Sequence, residues 1–224
     1  MATDLIIGGA GGSSREIAGA VVEINRVKET WNLLGFLDDD SKKTGALIDG
    51  LRVLGPLESA KEYPEVRFVV GIASYKVPST RKKIVERLGL PDQRFATIVH
   101  PSASLSSFVR VGVGSVVLHN VVITSETNVG NHVLISQGAV LAHDINLADY
   151  ATLAPGVVVA GGVVIKESAY IGAGAILAPG IVVEAESLVG IGSTVVNNVM
   201  AGSTVFGNPA RAINLPGAHR RWSR

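Results

Sequence analysis

The chain contains no cysteine. Disulfides and thiol chemistry are excluded, and the composition fits a reducing compartment. Aromatic residues are scarce, at 5% of 224 positions, although hydrophobic residues make up 47%. The apolar content is therefore carried by Val, Ile, Leu and Ala, which points to stacked, β-rich packing. An excess of one charge is also missing, since 20 basic against 19 acidic side chains give a formal net charge of +1. That balance offers no bulk attraction for nucleic acid or an anionic membrane. No apolar run approaches the roughly 20 residues of a membrane-spanning helix. The first residues, MATDLIIGGAGG, lack a basic segment followed by a long apolar stretch, so no secretory signal is expected. These absences lead to the expectation of a cytoplasmic enzyme of one or two domains, with neither nucleic acid nor membrane as a partner.

What is present is a repeat. From Val99 to Val195 in steps of six, all seventeen positions are Leu, Ile or Val. The position four after each is also small or branched, as at Ala103, Val109, Ser115, Val121 and Thr127. That position lies two residues before the next aliphatic, and residues two apart on a strand face the same side. Each hexad is thus a short strand with two inward side chains and a corner behind it. Three hexads close one triangular coil, so the run predicts a parallel β-helix of between five and six coils. No long insertion interrupts it, so a site must be built on the corners or completed by another subunit. Val116, Val122, Leu134, Val140 and Val158 occupy outward positions. Apolar residues on an outer face mark an interface, and a trimer about an axis parallel to the helix would bury them.

The first half reads differently. DLIIGGAGGSSREIAGAVVEI is a strand, a glycine turn and a helix whose N-terminal N–H groups suit a phosphate. LLGFLDDD is a second strand ending in Asp38, Asp39 and Asp40, where Rossmann-like domains place an acid on a ribose or base. RFVVGIAS is a further strand with a loop at Gly71–Ser74, and TRKKIVERLGL is a helix. The boundary falls near residue 97, which is too few residues for a full dinucleotide fold, so a mononucleotide site is expected. The expected organisation is a small Rossmann-like α/β domain over 1–97, a β-helix over 98–215 and a tail over 216–224.

Five histidines are available. His100 precedes Pro101 at the start of the first coil and reads as structural. His119 and His132 are corner residues followed or preceded by asparagine, and His219 sits in the basic tail AHRRWSR. His143 differs, because Asp144 follows it and Gly161 and Gly162 stand one coil, 18 residues, further on. Coils stack at about 4.8 Å, so bare backbone lies over the imidazole and its acid. Acyl transfer needs a base for the attacking group, a carboxylate to orient the ring, and an unobstructed N–H for the oxyanion. With no cysteine and no serine in an elbow motif, direct transfer from a thioester is favoured over a covalent enzyme intermediate. No set of histidines and carboxylates shows metal-ligand spacing, so no metal is expected.

Taken together, GGAGGSSRE, GFLDDD, VHPSA, the hexads, AHDINLADYATLAPGVVVAGGVVI and the closing GNPAR resemble the bacterial sugar O- and N-acyltransferases with a left-handed β-helix. These are relatives of the sialic-acid O-acetyltransferases and of the bacillosamine and perosamine N-acetyltransferases. The resemblance implies His143 as catalytic base, Asp144 as the acid that raises its basicity, and Gly161 as the amide that contacts the acetyl-CoA thioester carbonyl. It implies Gly11, Gly12 and Ser13 around the phosphates of a nucleotide-linked sugar, and Asp38 and Asp39 at the nucleotide base. Thr152 stands where relatives often place a histidine near acetyl-CoA, and Ser13 where they commonly carry one in the glycine turn. It further implies a homotrimer with the active site between neighbouring β-helices. The expected activity is acetyl-CoA-dependent N-acetylation of a nucleotide-linked dideoxy amino sugar. Sugar O-acetylation of the sialic-acid type and a non-catalytic β-helix scaffold are the alternatives.

Overall fold

A computed structural model describes residues 2–213. His219, the tail 216–224 and the last two residues of the expected β-helix domain lie outside the described residues. The first domain is a five-stranded sheet built from β1 (Thr3–Gly8), β2 (Trp31–Leu37), β3 (Leu47–Ile48), β4 (Leu51–Gly55) and β5 (Arg67–Val70). Its strand order is β3-β4-β2-β1-β5, parallel except for the β3–β4 hairpin. In that hairpin Asp49 and Gly50, at φ 48° and 81°, form the two-residue turn an Asp-Gly pair favours. Helix α1 (Gly12–Val27) buries Ser14, Ile17, Ala18 and Val21, the 3- and 4-residue spacing of one helix face. Helix α2 (Thr80–Leu88) follows β5 and contributes Arg81, Val85 and Leu88 to the interior.

The rest of the described chain is the left-handed β-helix. Its strands are two residues long, and each pairs in parallel with the strand 18 residues later, as in Val122↔Val140 and Val140↔Val158. Three flat faces result. Face 1 has eight strands, from Ile98–Val99 to the closing hairpin Thr204–Gly207 with Ala210–Ala212. Face 2 has six, from Ser104–Leu105 to Thr194–Val195, and face 3 has five, from Arg110–Val111 to Val182–Val183. The hexad aliphatics from Val117 to Val195 form one continuous buried core. Val99, the first of the series, is 36% exposed because no coil lies beneath it.

The two domains share a core. Val116, Leu118 and Leu134 of face 1 pack with Leu5, Ile7, Ile17 and Val21 of the α/β domain. This corrects the expectation that Val116 and Leu134 face another subunit, since both are buried beneath the chain's own first domain. Val122, Val140 and Val158 lie on face 2 and remain exposed, joined there by Ile176.

Arg81 fastens the junction. It is buried, and no carboxylate among the described residues pairs with it. Its Nε donates to the His132 carbonyl at 2.8 Å and its Nη1 to the Ile72 carbonyl at 3.0 Å. Nη2 reaches the carbonyls of Tyr150 and Ala151 at 3.0 and 3.1 Å and the Thr152 hydroxyl at 2.6 Å. Burial pulls the guanidinium down to about 10, still well above neutrality, so a full charge is dissolved in carbonyl dipoles from both domains. Beside it the His132 ring stacks on Tyr150 and meets the edge of Phe95. Burial, and then the Arg81 charge, lower His132 to about 4.

Two predictions follow from this junction. Arg81→Met strands several buried carbonyls, each costing about 1–3 kcal/mol. The urea-unfolding free energy should therefore fall by at least about 3 kcal/mol, and a loss under about 1 kcal/mol would contradict the clamp. For His132, an unfolded value near 6.5 against a folded value of about 4 means the unfolded chain binds the extra proton. Its contribution is complete above pH ~6.5 and is lost as pH falls toward about 4. His132→Asn should flatten the stability-versus-pH slope in that window, measured by denaturation at fixed pH values.

Candidate active site

His143 and Asp144 form the corner between the face-2 strand Val140–Leu141 and the face-3 strand Asn146–Leu147. The turn requires a left-handed residue, and Asp144 supplies it at φ 59°, a conformation Asp tolerates better than most. The Asp144 N–H donates to the Ser125 carbonyl of the coil below at 3.1 Å. His143 Nδ1 lies 2.7 Å from Asp144 Oδ2. A carboxylate can only accept, so Nδ1 carries the hydrogen and the neutral ring presents an open lone pair on Nε2. Both side chains are well exposed, 67% for His143 and 62% for Asp144, so the pair is open to a reactant.

Gly161 stands over this ring. A Cβ at Gly161 would sit 2.7 Å from His143 Cε1 and 2.8 Å from Nε2. Any other residue would push the imidazole aside. The Gly162 N–H is taken by the His143 carbonyl at 3.0 Å. The Gly161 N–H has no acceptor among the described residues. A base with an open lone pair, a carboxylate on its far nitrogen and a free backbone donor thus share one corner. Those are the groups that direct acyl transfer from a thioester needs.

The glycine turn lies elsewhere. Gly9 has φ 91°, and a Cβ there would run into Ile72. Gly11 and Gly12 face open space, with nothing within 4 Å of a Cβ at either. Gly11 is the N-cap of α1 and provides no side-chain cap, so the first N–H groups of the helix are available to an anion. The first turn holds no acid and carries Arg15, which pairs with Asp49 at 2.6 Å. Ser13 is half-buried beside it, while Ser14 is buried and its hydroxyl donates to the Gly8 carbonyl at 3.4 Å. Helix α1 runs along the edge between faces 1 and 2, where Gln137 meets Glu16 at 3.4 Å. The turn and His143 therefore flank face 2 from opposite edges, and the structure does not join them within one edge.

Asp38 and Asp39 both have partners. Asp38 Oδ2 accepts from the Ala10 N–H at 2.8 Å and from Lys43 at 2.9 Å, and Oδ1 accepts from the Asp40 N–H at 2.9 Å. Partial burial pushes its carboxyl up, but these bonds outweigh it and hold the group below the usual carboxylate range. Asp38 thus ties the end of β2 to the glycine turn. Asp39 is more exposed; it accepts from the Leu57 N–H at 2.9 Å and pairs with Arg87 at 2.6 Å.

Thr152 has a different place from the expected acetyl-CoA contact. It is buried on face 1, opposite the His143 corner, and its hydroxyl is held by Arg81. The chain's own first domain covers it. The sequence gives no warning of Arg81 or of the Gln137–Glu16 contact, since each depends on partners more than 50 residues away.

Residues 4–88 match the PglD N-terminal domain. A stretch of 55 residues is 38% identical to the UDP-N-acetylbacillosamine N-acetyltransferase of Bacillus subtilis (strain 168), covering 25% of this chain and 24% of that protein. Among solved structures, a histidine-to-asparagine variant of perosamine N-acetyltransferase from Caulobacter crescentus, in complex with CoA and GDP-perosamine, is 28% identical with a TM-score of 0.82. That match covers 94% of this chain and 97% of the other. The acetyltransferase domain of PglB from Neisseria gonorrhoeae is 25% identical, with a TM-score of 0.83 over 94% of this chain and 99% of that one. Residues 4–88 thus carry a PglD N-terminal domain, and along nearly its whole length the chain is similar in fold to these acetyltransferases.

Proposed function

We propose that this protein is an acetyl-CoA-dependent N-acetyltransferase acting on the amino group of a nucleotide-linked dideoxy sugar in the cytoplasm. One observation carries the reading: His143, with Nδ1 bonded to Asp144 at 2.7 Å, turns Nε2 toward the unshielded Gly161. The amine nitrogen attacks the thioester carbonyl carbon, and Nε2 takes the proton that nitrogen loses. Asp144 stabilises the imidazolium from the other side. The Gly161 N–H meets the oxyanion. Collapse breaks the carbon–sulfur bond, and the departing CoA thiolate recovers the proton from His143. The named activity of the Caulobacter crescentus enzyme, and the CoA and GDP-perosamine in its structure, support both reactant classes.

The α/β half, 1–97, holds the nucleotide and the β-helix half, 98–215, the acetyl-CoA. Gly11, Gly12 and Ser13 cradle the phosphates at the head of α1. Asp38 keeps the turn in shape, and Asp39, the more exposed acid, faces the base. The exposed ladder Val122, Val140, Val158 and Ile176 on face 2 supports a homotrimer. Since the glycine turn and the His143 corner flank that face, a neighbour seated on it would bring one subunit's turn toward another's base.

The test is acetyl transfer from acetyl-CoA to a panel of nucleotide-linked amino sugars, with matched hydroxyl sugars alongside. The wild type should acetylate an amino sugar, and His143→Ala should lower kcat by about 10²–10⁴-fold. Near wild-type turnover of the variant would remove His143 as the base, and exclusive use of hydroxyl sugars would reassign the acceptor. Gly161→Ala should also cost at least about tenfold in kcat by displacing the His143 ring. The ring is exposed and can swing away, so unfolding stability should stay within about 1 kcal/mol of wild type.

A further inference from the structure

Three side chains that the acyl-transfer reading leaves unused meet at the junction of the two domains. Glu23 comes from the second half of α1, His100 from the start of the first coil, and His119 from the corner that follows Val116–Val117. One Glu23 oxygen lies 3.0 Å from His100 Nε2, and the other lies 3.5 Å from His119 Nε2. The imidazole rings stack with their centroids 3.9 Å apart. One ligand atom from each residue lies within 4.8 Å of the other two, the only such group of three among the described residues. We propose that Glu23, His100 and His119 bind a divalent transition-metal ion, zinc by its ligand set, which pins α1 to the first two coils.

The dimensions support this. Zinc bonds of about 2.0–2.2 Å in a tetrahedron put neighbouring ligand atoms roughly 3.3 Å apart; His100 Nε2 is already 3.0 Å from one Glu23 oxygen, and one atom from each of the three residues lies within 4.8 Å of the other two. Two imidazoles and one carboxylate leave a fourth position for water. His100 is only 3% exposed and gives the site a fixed wall, while the His119 side chain, 32% exposed, faces the way in.

His100 also has an outer partner. Its Nδ1 lies 2.8 Å from Ser102 Oγ, which accepts from the Asn120 N–H at 3.0 Å. Without metal, Nδ1 accepts from the Ser102 N–H at 3.1 Å, and Nε2–H donates to Glu23. Metal on Nε2 moves that hydrogen to Nδ1, where Ser102 Oγ accepts it, the usual support for a ligating histidine. The exchange releases no proton from a neutral His100 and gives up the Ser102 N–H contact. His119 must turn out of the ring stack to aim its lone pair at the ion, and its exposed side leaves room for that.

The experiment needs no activity assay, so it stands or falls apart from the acetyltransferase reading. The full chain, stripped with EDTA, is titrated with zinc alone by calorimetry and followed by thermal unfolding. The expected result is one saturable site at micromolar zinc with a rise in Tm. His119→Ala, which leaves buried His100 in place, should weaken binding by more than about 100-fold, while His143→Ala should leave it unchanged. Cobalt, used as a second probe, should give the visible absorption of a four-coordinate ion in the wild type only. Absence of saturable binding up to millimolar zinc, or equal binding by His119→Ala, would overturn the site.

Discussion

Each coil of the β-helix is hydrogen-bonded to the next at a fixed offset, and that offset governs the rest of the molecule. Strand residues donate upward, as Val140 N–H does to the Val157 carbonyl and Ala142 N–H to the Val159 carbonyl, both at 2.9 Å. Corner residues donate downward, as Gly162 N–H does to the His143 carbonyl and Asp144 N–H to the Ser125 carbonyl. With bonds running both ways, no coil can slip relative to its neighbours without breaking every pair at once. A residue's neighbours above and below are therefore those 18 positions away, and chemistry at a corner is set by that relation. The environment of the His143 ring is decided by what occupies position 161.

The same constraint makes the three faces alike in backbone and leaves their outer side chains to distinguish them. Face 1 carries Val116 and Leu134 and is covered by the α/β domain. Face 2 carries the open valine ladder, and face 3 begins with Arg110, Asn128 and Asn146. Apolar shape alone could dock the first domain on face 1 or face 2. Arg81 breaks the tie, because its bonds end on His132, Tyr150, Ala151 and Thr152, all on face 1 or the corner leading into it. A buried charge is costly unless every donor is satisfied, so the guanidinium tolerates one docking and penalises others.

Much of this was legible in the sequence, for a physical reason. A coil interior admits only aliphatics at one phase, so the period appears as seventeen consistent residues, and His143 with Gly161 follows from counting. What depends on docking was not legible. Val116 and Val122 occupy equivalent hexad positions, and nothing local says that one is buried and the other exposed. Arg81 reads as one cation among several in TRKKIVER, and Thr152 is linked to acetyl-CoA only through the family resemblance. The resemblance places Asp38 at a nucleotide base, and in the fold its carboxylate accepts from the Ala10 N–H. Glu23 and His100 are separated by 77 positions, so no spacing rule could connect them.

A rigid rod with periodic corners suits the proposed base and oxyanion donor, but it has few ways to choose an acceptor. Its corners near His143 are short, with Ser125 and Glu126 below and Gly161, Gly162, Pro179 and Gly180 above. In the proposed reaction, selection would come from the α/β domain, whose glycine turn lies at the opposite edge of face 2. Such a division works only if the two domains keep a constant spacing, because binding energy gained at the nucleotide is useful to catalysis only when it fixes the amine at the base. The shared core, the Arg81 clamp and the Glu23–His100–His119 cluster all sit on that junction. Ile72 connects the junction to the turn directly, since its carbonyl accepts from Arg81 and its side chain fills the space beside Gly9. A change at the domain interface should thus reach the glycine turn through Ile72 before it reaches His143.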